Sequence, residues 1–396
     1  MGEVNYVTQV LTSPDEVNAF EWDALLALQA APTPFMRHAY LAAMHASGSA
    51  CPATGWTPHF FVLTHQGALQ AACVLYVKTH SYGEYVFDWS WANAYAQHGL
   101  EYYPKALIAA PFTPVPGSRL MALDANARRA LVNELLLWAK RNHMSSLHLL
   151  FGTEQDTETC QRAEMLLRHT VQFHWQNRDS PYENFDTFLS ALTQEKRKKI
   201  RQERRKVQEA GVTFRHSFGE QIAAEDWDFF YRCYERTYLE HGNAPYLNRD
   251  FFRRIAESMP ENWVLFTAER NGTPIASSLI AVGAYPISGD GTFTPSHHKV
   301  AYGRYWGALE RVDCLHFEAC FYQPLEWCIR NSYHRFEGGA QGEHKMARAL
   351  LPVKTTSAHW LAHPSFSDAV ARFLEREGTG IEEYMEALEH RSPLRP

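Results

Sequence analysis

The chain has 396 residues, 45% apolar and 21% charged, a globular composition with room for about two or three domains. Its 38 lysines and arginines against 44 acids leave a formal charge of −6, too mild for a surface that coats nucleic acid or membrane, so any basic site must be local. Apolar runs such as Ala106 to Phe112 fall far short of the roughly 18 residues of a membrane span, and Met1 to Tyr6 carries neither an export leader nor a myristoylation signal. A soluble, cytoplasmic chain is expected.

In chain order, Val4 to Leu11 reads as a strand, and the capping box Ser13-Pro14-Asp15-Glu16 opens a helix to about Ala30. A second helix spans Phe35 to Ala46. His59 to His65 and Leu69 to Lys78 form a hairpin around Gln66-Gly67, and Glu84 to Trp89 is a third strand. After a proline-rich stretch, Asp124 caps a helix to about Asn142; then come a strand (Leu147 to Phe151), a helix (Glu154 to Arg168) and a strand (Val171 to Asn177). The second half begins with a helical pair, Asn184 to Leu192 and Gln194 to Ala210. It continues with a strand at Val212 to His216 and helices at Asp226 to Glu240 and Arg249 to Ser258. Trp263 to Glu269 and Pro274 to Val282 flank Asn271-Gly272, whose residues suit the positive φ of a type I′ turn. A strand at Gly291 to Ala301, a helix at Glu318 to Asn331 and a strand at Tyr333 to Glu337 follow. Two C-terminal helices, Ser365 to Glu377 and Ile381 to Glu389, are amphipathic.

Both halves carry a tryptophan followed by arginine-asparagine at the end of a helix that leads into a strand finishing in glycine. Trp138, Arg141 and Asn142 precede Gly152, and Trp327, Arg330 and Asn331 precede Gly338. With the shared order of elements this reads as duplication. The expected fold is α/β (α+β), two tandem domains with mixed, mostly antiparallel sheets, at residues 1–180 and 181–396.

This order resembles the GNAT acyltransferase fold, and two copies with a basic helical pair opening the second resemble the Fem aminoacyl transferases. Closer still is the likeness to FemAB-like predicted N-acyltransferases. It is carried by Ser90 to Tyr95, Tyr102-Tyr103-Pro104-Lys105, Pro111 to Val115, Gly303-Arg304-Tyr305-Trp306-Gly307, Phe317 to Tyr322 and Phe336 to Lys345. The resemblance implies transfer of an acyl or aminoacyl group from acyl-CoA or aminoacyl-tRNA to an amine acceptor such as a peptidoglycan-type precursor. No tightly bound cofactor is expected, tRNA is a possible partner, and the oligomeric state is open.

Five stretches carry candidate chemistry. Lys196 to Lys206 holds eight cations in eleven positions, with Arg197, Arg201 and Arg204 on one helical side; it reads either as a site for a phosphate-rich partner or as a solvated face. Glu337-Gly338-Gly339-Ala340-Gln341-Gly342-Glu343-His344-Lys345 follows a central strand. There Glu337 suits a general base, Gln341 an oxyanion donor, Gly338, Gly339 and Gly342 a close backbone approach, and Lys345 a phosphate partner. Fem enzymes carry a lysine after this turn, usually preceded by phenylalanine; here His344 precedes it. Glu318 and Tyr322, one helical turn apart, could face the same cleft, although Glu318 also suits the helix dipole.

Arg304, Tyr305 and Trp306 are candidates for holding substrate, with core packing the alternative for Trp306. In the first half Trp91, Asn93, Tyr95, Tyr103 and Lys105 read as a pocket lining or a packed loop, with Asn93 and Lys105 as acceptor contacts. The R/Q-x-x-G-x-G/A turn that cradles the pyrophosphate of coenzyme A is missing from the sequence. Seven scattered cysteines without C-x-x-C, and His316-Phe317-Glu318 without P-C-x-x-C, argue against a metal. A non-catalytic protein that binds RNA or an anionic precursor through the basic helix is the alternative to an enzyme.

Overall fold

The computed structural model describes residues 5–286, 297–340 and 342–395. The expectations resting on Met1 to Val4, on Gly291 to Ser296 and on Gln341 lie outside the described residues. The chain forms two compact α/β units, residues 1–170 with 354–384, and residues 171–353 with 385–396.

The first unit contains β1 (Val7–Leu11), α1 (Ala19–Ala27), α2 (His38–Ala46), β2 (Trp56–His65), β3 (Ala68–Lys78), α3 (Trp89–Gln97), β4 (Lys105–Ile108), β5 (Met121–Ala122), α4 (Ala125–Arg141), β6 (Ser146–Gly152) and α5 (Glu154–Arg162). The chain enters the second unit along β7 (Leu166–Gln176). There follow α6 (Phe185–Ser190), α7 (Gln194–Glu209), β8 (Val212–Phe218), α8 (Ala224–Glu240), α9 (Arg249–Ser258), β9 (Trp263–Arg270), β10 (Thr273–Pro286), β11 (His297–Ala308), α10 (Leu315–Phe317), a π turn (Glu318–Tyr322), α11 (Gln323–Arg330) and β12 (Arg335–Ala340). Finally β13 (Leu351–Leu361) returns to the first unit and α12 (Pro364–Glu389) ends the chain.

Each unit holds a mixed sheet flanked by helices. In the first, β1, β2, β3 and β4 are antiparallel neighbours, β4 runs parallel to β6, and β6 is antiparallel to β13. In the second, β8, β9, β10 and β11 are antiparallel neighbours, β11 runs parallel to β12, and β12 is antiparallel to β7. The order antiparallel meander, parallel pair, antiparallel closing strand thus occurs twice.

The repeated string around Trp138 and Trp327 has a physical cause. Asn142 and Asn331 each give backbone N–H and side-chain amide to the carbonyl of the tryptophan four residues back. His143 and Ser332 then adopt positive φ, and the next amides, of Met144 and Tyr333, reach back to Ala139 and Cys328. This Schellman ending satisfies the last carbonyls of the helix before β6 and the helix before β12, and so aims both strands alike.

Several expected elements differ. The capping box at Ser13 closes only a short 3-10 turn at Pro14–Glu16, because Val17 is extended and Asn18 caps α1 afresh through Phe20 and Glu21 amides. Glu84 to Trp89 is not a strand: Glu84 and Asp88 turn inward to meet Lys105, and Trp89 begins α3. The helix expected to reach Arg168 stops at Arg162, since Glu164 takes positive φ and β7 starts at Leu166. The two C-terminal helices are one, α12, whose first half is anchored by buried Val370 and Leu374 and whose last turn is anchored by buried Leu388. That packing outweighs the roughly 1 kcal/mol per residue lost at Gly378 and Gly380.

Candidate functional site

In the second unit the parallel pairing of β11 with β12 lasts only three rungs, ending at Tyr302 opposite Glu337. Beyond it β11 pairs only with β10, while β12, already paired with β7 from Arg335 to Glu337, keeps that partner at Ala340. The strands therefore splay. On the other side of β11, Leu279 pairs with Tyr305 and Ile280 with Gly303, so Arg304 is one residue too many, a β-bulge beside the splay. Bulges bend a strand and re-aim its groups, and are enriched beside active sites.

A cavity of about 280 Å³ opens there, lined by Gly303 to Trp306, by Phe336 and Gly338 of β12, by Ser278 to Ile280, by His316, Cys320 and Phe321, and by His344 and Lys345. Cys320 and Phe321 lie on the π turn. Pro324 supplies no amide for a regular bond, and the Gln323 amide reaches five residues back to Glu318 instead. Next along β11, a Cβ at Gly307 would lie 1.8 Å from the Cys233 carbonyl oxygen, so only glycine lets α8 pack on β11.

Among the described residues lining the cavity there are Arg304, Lys345 and two histidines and no carboxylate. Lys345 is 7% exposed, its Nζ donates to the Gly339 carbonyl at 3.1 Å, and burial lowers it from 10.5 to about 8. Desolvation, then the positive neighbours His344, Arg348 and Lys345, bring His316 down to about 4, although the residue as a whole is exposed. His344 is lowered for the same reasons, burial first and then Arg348 and Lys345. The three glycines divide their work. Gly339 and Gly342 hold positive φ, whereas a Cβ at Gly338 would lie 2.4 Å from the Leu350 side chain.

Glu337 does not line this cavity. Between Phe336 and Gly338, which do, strand alternation turns its carboxylate away, and it is buried beside Arg335 (2.9 Å) and His174 (4.0 Å). Glu318 and Tyr322 face α7. Arg204 binds Glu318 at 3.0 Å and Glu326 at 2.8 Å, and Gln323 donates to Glu318 at 2.7 Å. Tyr322 donates to buried Glu203, which also pairs with buried Arg348 at 2.8 Å. Arg204 is thus spent inside the protein, and Ile200 and Val207 bury the apolar stripe of α7. Arg197 is half-buried, while Lys198, Lys199, Arg201, Arg205 and Lys206 stay exposed.

The first-unit residues gather around another centre. Lys105, fully buried, donates to Glu84 at 2.8 Å, to Ser81 at 2.8 Å and to Asp88. Tyr102 donates to Asp88 at 2.6 Å and lies 3.1 Å from His148, whose other nitrogen meets His359 at 2.8 Å. Burial raises Glu84 to about 7 against the pull of Lys105, and burial lowers His148 to about 3. Tyr103 bonds to Ser81 at 2.8 Å. Trp91 and Tyr95 pack with Tyr102 against Val370 and Leu374, and Asn93 is exposed on the other side of α3. The aromatic stretch is therefore a helix in a packed layer over a buried ionic cluster.

Past β4 the chain fills its own splay. The Gly117 amide donates to Phe151 O at 3.0 Å, and buried Arg119 donates to Leu150 O at 3.2 Å and Val115 O at 2.5 Å. The strand edge of β6 is used up by protein.

Sequence reasoning missed the bulge at Arg304, and it missed His316 and Cys320 as cavity residues. Pro324 was the available signal for the π turn that presents Cys320. Among the described residues no group of three or more His, Cys, Asp or Glu could hold a metal ion, and no helix is long and apolar enough to cross a membrane.

The sequence pattern of the FemAB-like family, described as peptidoglycan biosynthesis/recognition, matches residues 13–396. None of the curated proteins compared with the chain matches it. The crystal structure of FemX superposes with a TM-score of 0.52 at 10% identity, over 92% of this chain and 100% of that one. L-PGS from Bacillus licheniformis gives 0.52 at 10% identity, over 90% of this chain and 97% of that one. A tandem GNAT protein from the clavulanic acid biosynthesis pathway gives 0.47 at 12% identity, over 91% and 99%. At these identities the likeness to FemX and to L-PGS is one of fold.

Proposed function

Because the chain belongs to the FemAB-like family, which points to a transferase of acyl or aminoacyl groups, we propose that it moves such a group onto an amine at the splay of β11 and β12 in the second unit. The observation that carries the reading is the cavity itself: strands parted beside a bulge, Lys345 buried in the wall, and no carboxylate among the described lining residues. Backbone groups released from pairing can bind an acyl chain as an added strand would, and amides at the bulge suit the oxyanion of the tetrahedral intermediate. The amine nitrogen attacks the carbonyl carbon, its proton leaves to a base, and the carbonyl–carrier bond breaks. Lys345 offsets the negative charge that builds on the oxyanion and leaving group.

At about 280 Å³ the cavity suits the acyl end of the donor rather than the whole carrier. The carrier, acyl-CoA or aminoacyl-tRNA, lies outside it, and the exposed cations of α7 are the natural contact for a phosphate chain. Glu337 braces β12 in this reading and does not take the proton. One donor site per chain is expected, since Gly117 and Arg119 occupy the corresponding place in the first unit.

Native mass spectrometry with acetyl-CoA and with charged tRNA, each followed by an amine panel, tests the proposal. One donor bound per chain, with the acyl group recovered on an amine, supports it. Binding without transfer in any combination makes the protein a non-catalytic binder, and binding of neither donor removes the reading.

A further inference from the structure

A second cavity, of about 470 Å³, lies against the first and shares two residues with it, Trp306 and His316. Their rings meet edge to face at 5.5 Å, so this pair is the wall between the two spaces. The charges on either side differ. The first cavity has cations and no carboxylate among its described lining residues, whereas the second is rimmed by Arg236, Glu240, Glu310 and Arg311. Within that rim Glu240 leans on Arg236 at 2.7 Å, and Glu310 pairs with Arg270. The second cavity is therefore balanced in charge and shows both signs to solvent.

Resting on the acyl-transfer reading, we propose that the second cavity is the acceptor site, that it takes an amine which also carries a carboxylate, such as an amino acid or peptide, and that His316 in the shared wall receives the proton of the attacking amine. A phosphate-rich carrier would meet two carboxylates here and none among the described lining residues of the first cavity, which favours the other side of the wall for it. A zwitterion matches both signs, its ammonium toward Glu240 and Glu310 and its carboxylate toward Arg311. The amine nucleophile must reach the acyl carbon, and the Trp306–His316 wall is where residues shared by both spaces stand. In the transfer the bound ammonium first gives one proton to solvent; the neutral amine then forms the C–N bond as the carbonyl–carrier bond breaks, its next proton passes to the His316 imidazole, and the departing carrier oxygen or sulfur takes a proton from solvent. Burial first and then its positive neighbours favour the neutral imidazole of His316, the form that can accept a proton.

The test uses the full chain and three matched probes: glycylglycine, glycylglycinamide, which lacks the carboxylate, and N-acetylglycylglycine, which lacks the amine. Saturation-transfer NMR is expected to rank glycylglycine above each blocked form by about threefold or more, the scale of exposed ion pairs. Glu240→Gln with Glu310→Gln removes the preference for the free amine, and Arg311→Gln removes the preference for the free carboxylate; Lys345→Met leaves both. Equal binding of the three peptides, or preferences untouched by these rim variants, overturns the acceptor site. With a donor that supports turnover, His316→Gln is expected to lower kcat about a hundredfold or more with KM for glycylglycine unchanged. Unchanged kcat in a variant with the melting temperature of the parent overturns the role of His316. A chain that transfers no acyl group to any amine loses the function and His316's role together, while the peptide preference stands or falls by binding alone.

Discussion

Lys345→Met should make the protein more stable at neutral pH while ending its activity. Lys345 is 7% exposed, and burial lowers its amine from 10.5 to about 8. At ~1.4 kcal/mol for each tenfold change in acidity, that lowering costs the protonated fold about 3 kcal/mol. Methionine removes the cost and fills similar space, but it also loses the bond from Nζ to the Gly339 carbonyl, worth ~1 kcal/mol. The net gain at pH 7 is about 2 kcal/mol. The pH dependence has a definite sign. Between about 8 and 10.5 the unfolded chain holds the proton that the folded chain has released, so the parent gains stability over that window. Above it both states are neutral, and the parent, still making its bond to Gly339, becomes the more stable by ~1 kcal/mol. Urea unfolding of both proteins at pH 7 and at pH 10.5 reads this directly. A variant no more stable than the parent at pH 7, or a difference that does not change between the two pH values, would refute the claim that a functional charge is held in the cavity at a cost to the fold.

Other outcomes follow from the same geometry. Glu203→Gln leaves buried Arg348 without its counter-charge and weakens the tie to Tyr322, so urea titration should show a loss of about 3 to 5 kcal/mol. Gly307→Ala places a methyl 1.8 Å from the Cys233 carbonyl oxygen; α8 must lift from β11, and thermal melts should fall by about 5 °C or more. Replacing Lys198, Lys199, Arg201 and Arg205 with glutamate should leave the melting temperature within a degree or two, because these side chains are exposed. The same change should weaken binding of a phosphate-rich carrier and flatten its salt dependence, read by filter binding across a salt series. Lys105→Met strands Glu84 and Asp88 in the first unit, and circular dichroism should report partial unfolding at neutral pH.

What sequence reasoning reached, and what it missed, follows the range of the forces involved. Local signals read well: Asp124 does cap α4 through the Ala127 amide, and Gln66-Gly67 and Asn271-Gly272 both take the positive φ values their hairpins need. The duplicated asparagine cap is local too, and it pointed to two copies of one architecture. The bulge at Arg304 depends on how β10 and β11 count against each other, which no single strand declares. Glu337 sits in the right segment, but one step of strand alternation separates it from the cavity. Arg204 and Glu318 were each singled out for separate chemistry, and they bind each other across 114 positions of chain. Lys105 was legible as a polar residue amid aromatics; that its partners Glu84 and Asp88 leave the strand path to reach it was not.

Hydrogen exchange of the full chain with and without the donor that it binds shows which splay receives the acyl group. New protection is expected at Gly303 to Trp306 and at Phe336 to Gly338, the two sides of the splay in the second unit, with Lys105 to Phe112 and Ser146 to Phe151 unchanged. Protection confined to the first-unit segments, or donor bound with none at the second-unit splay, would contradict it.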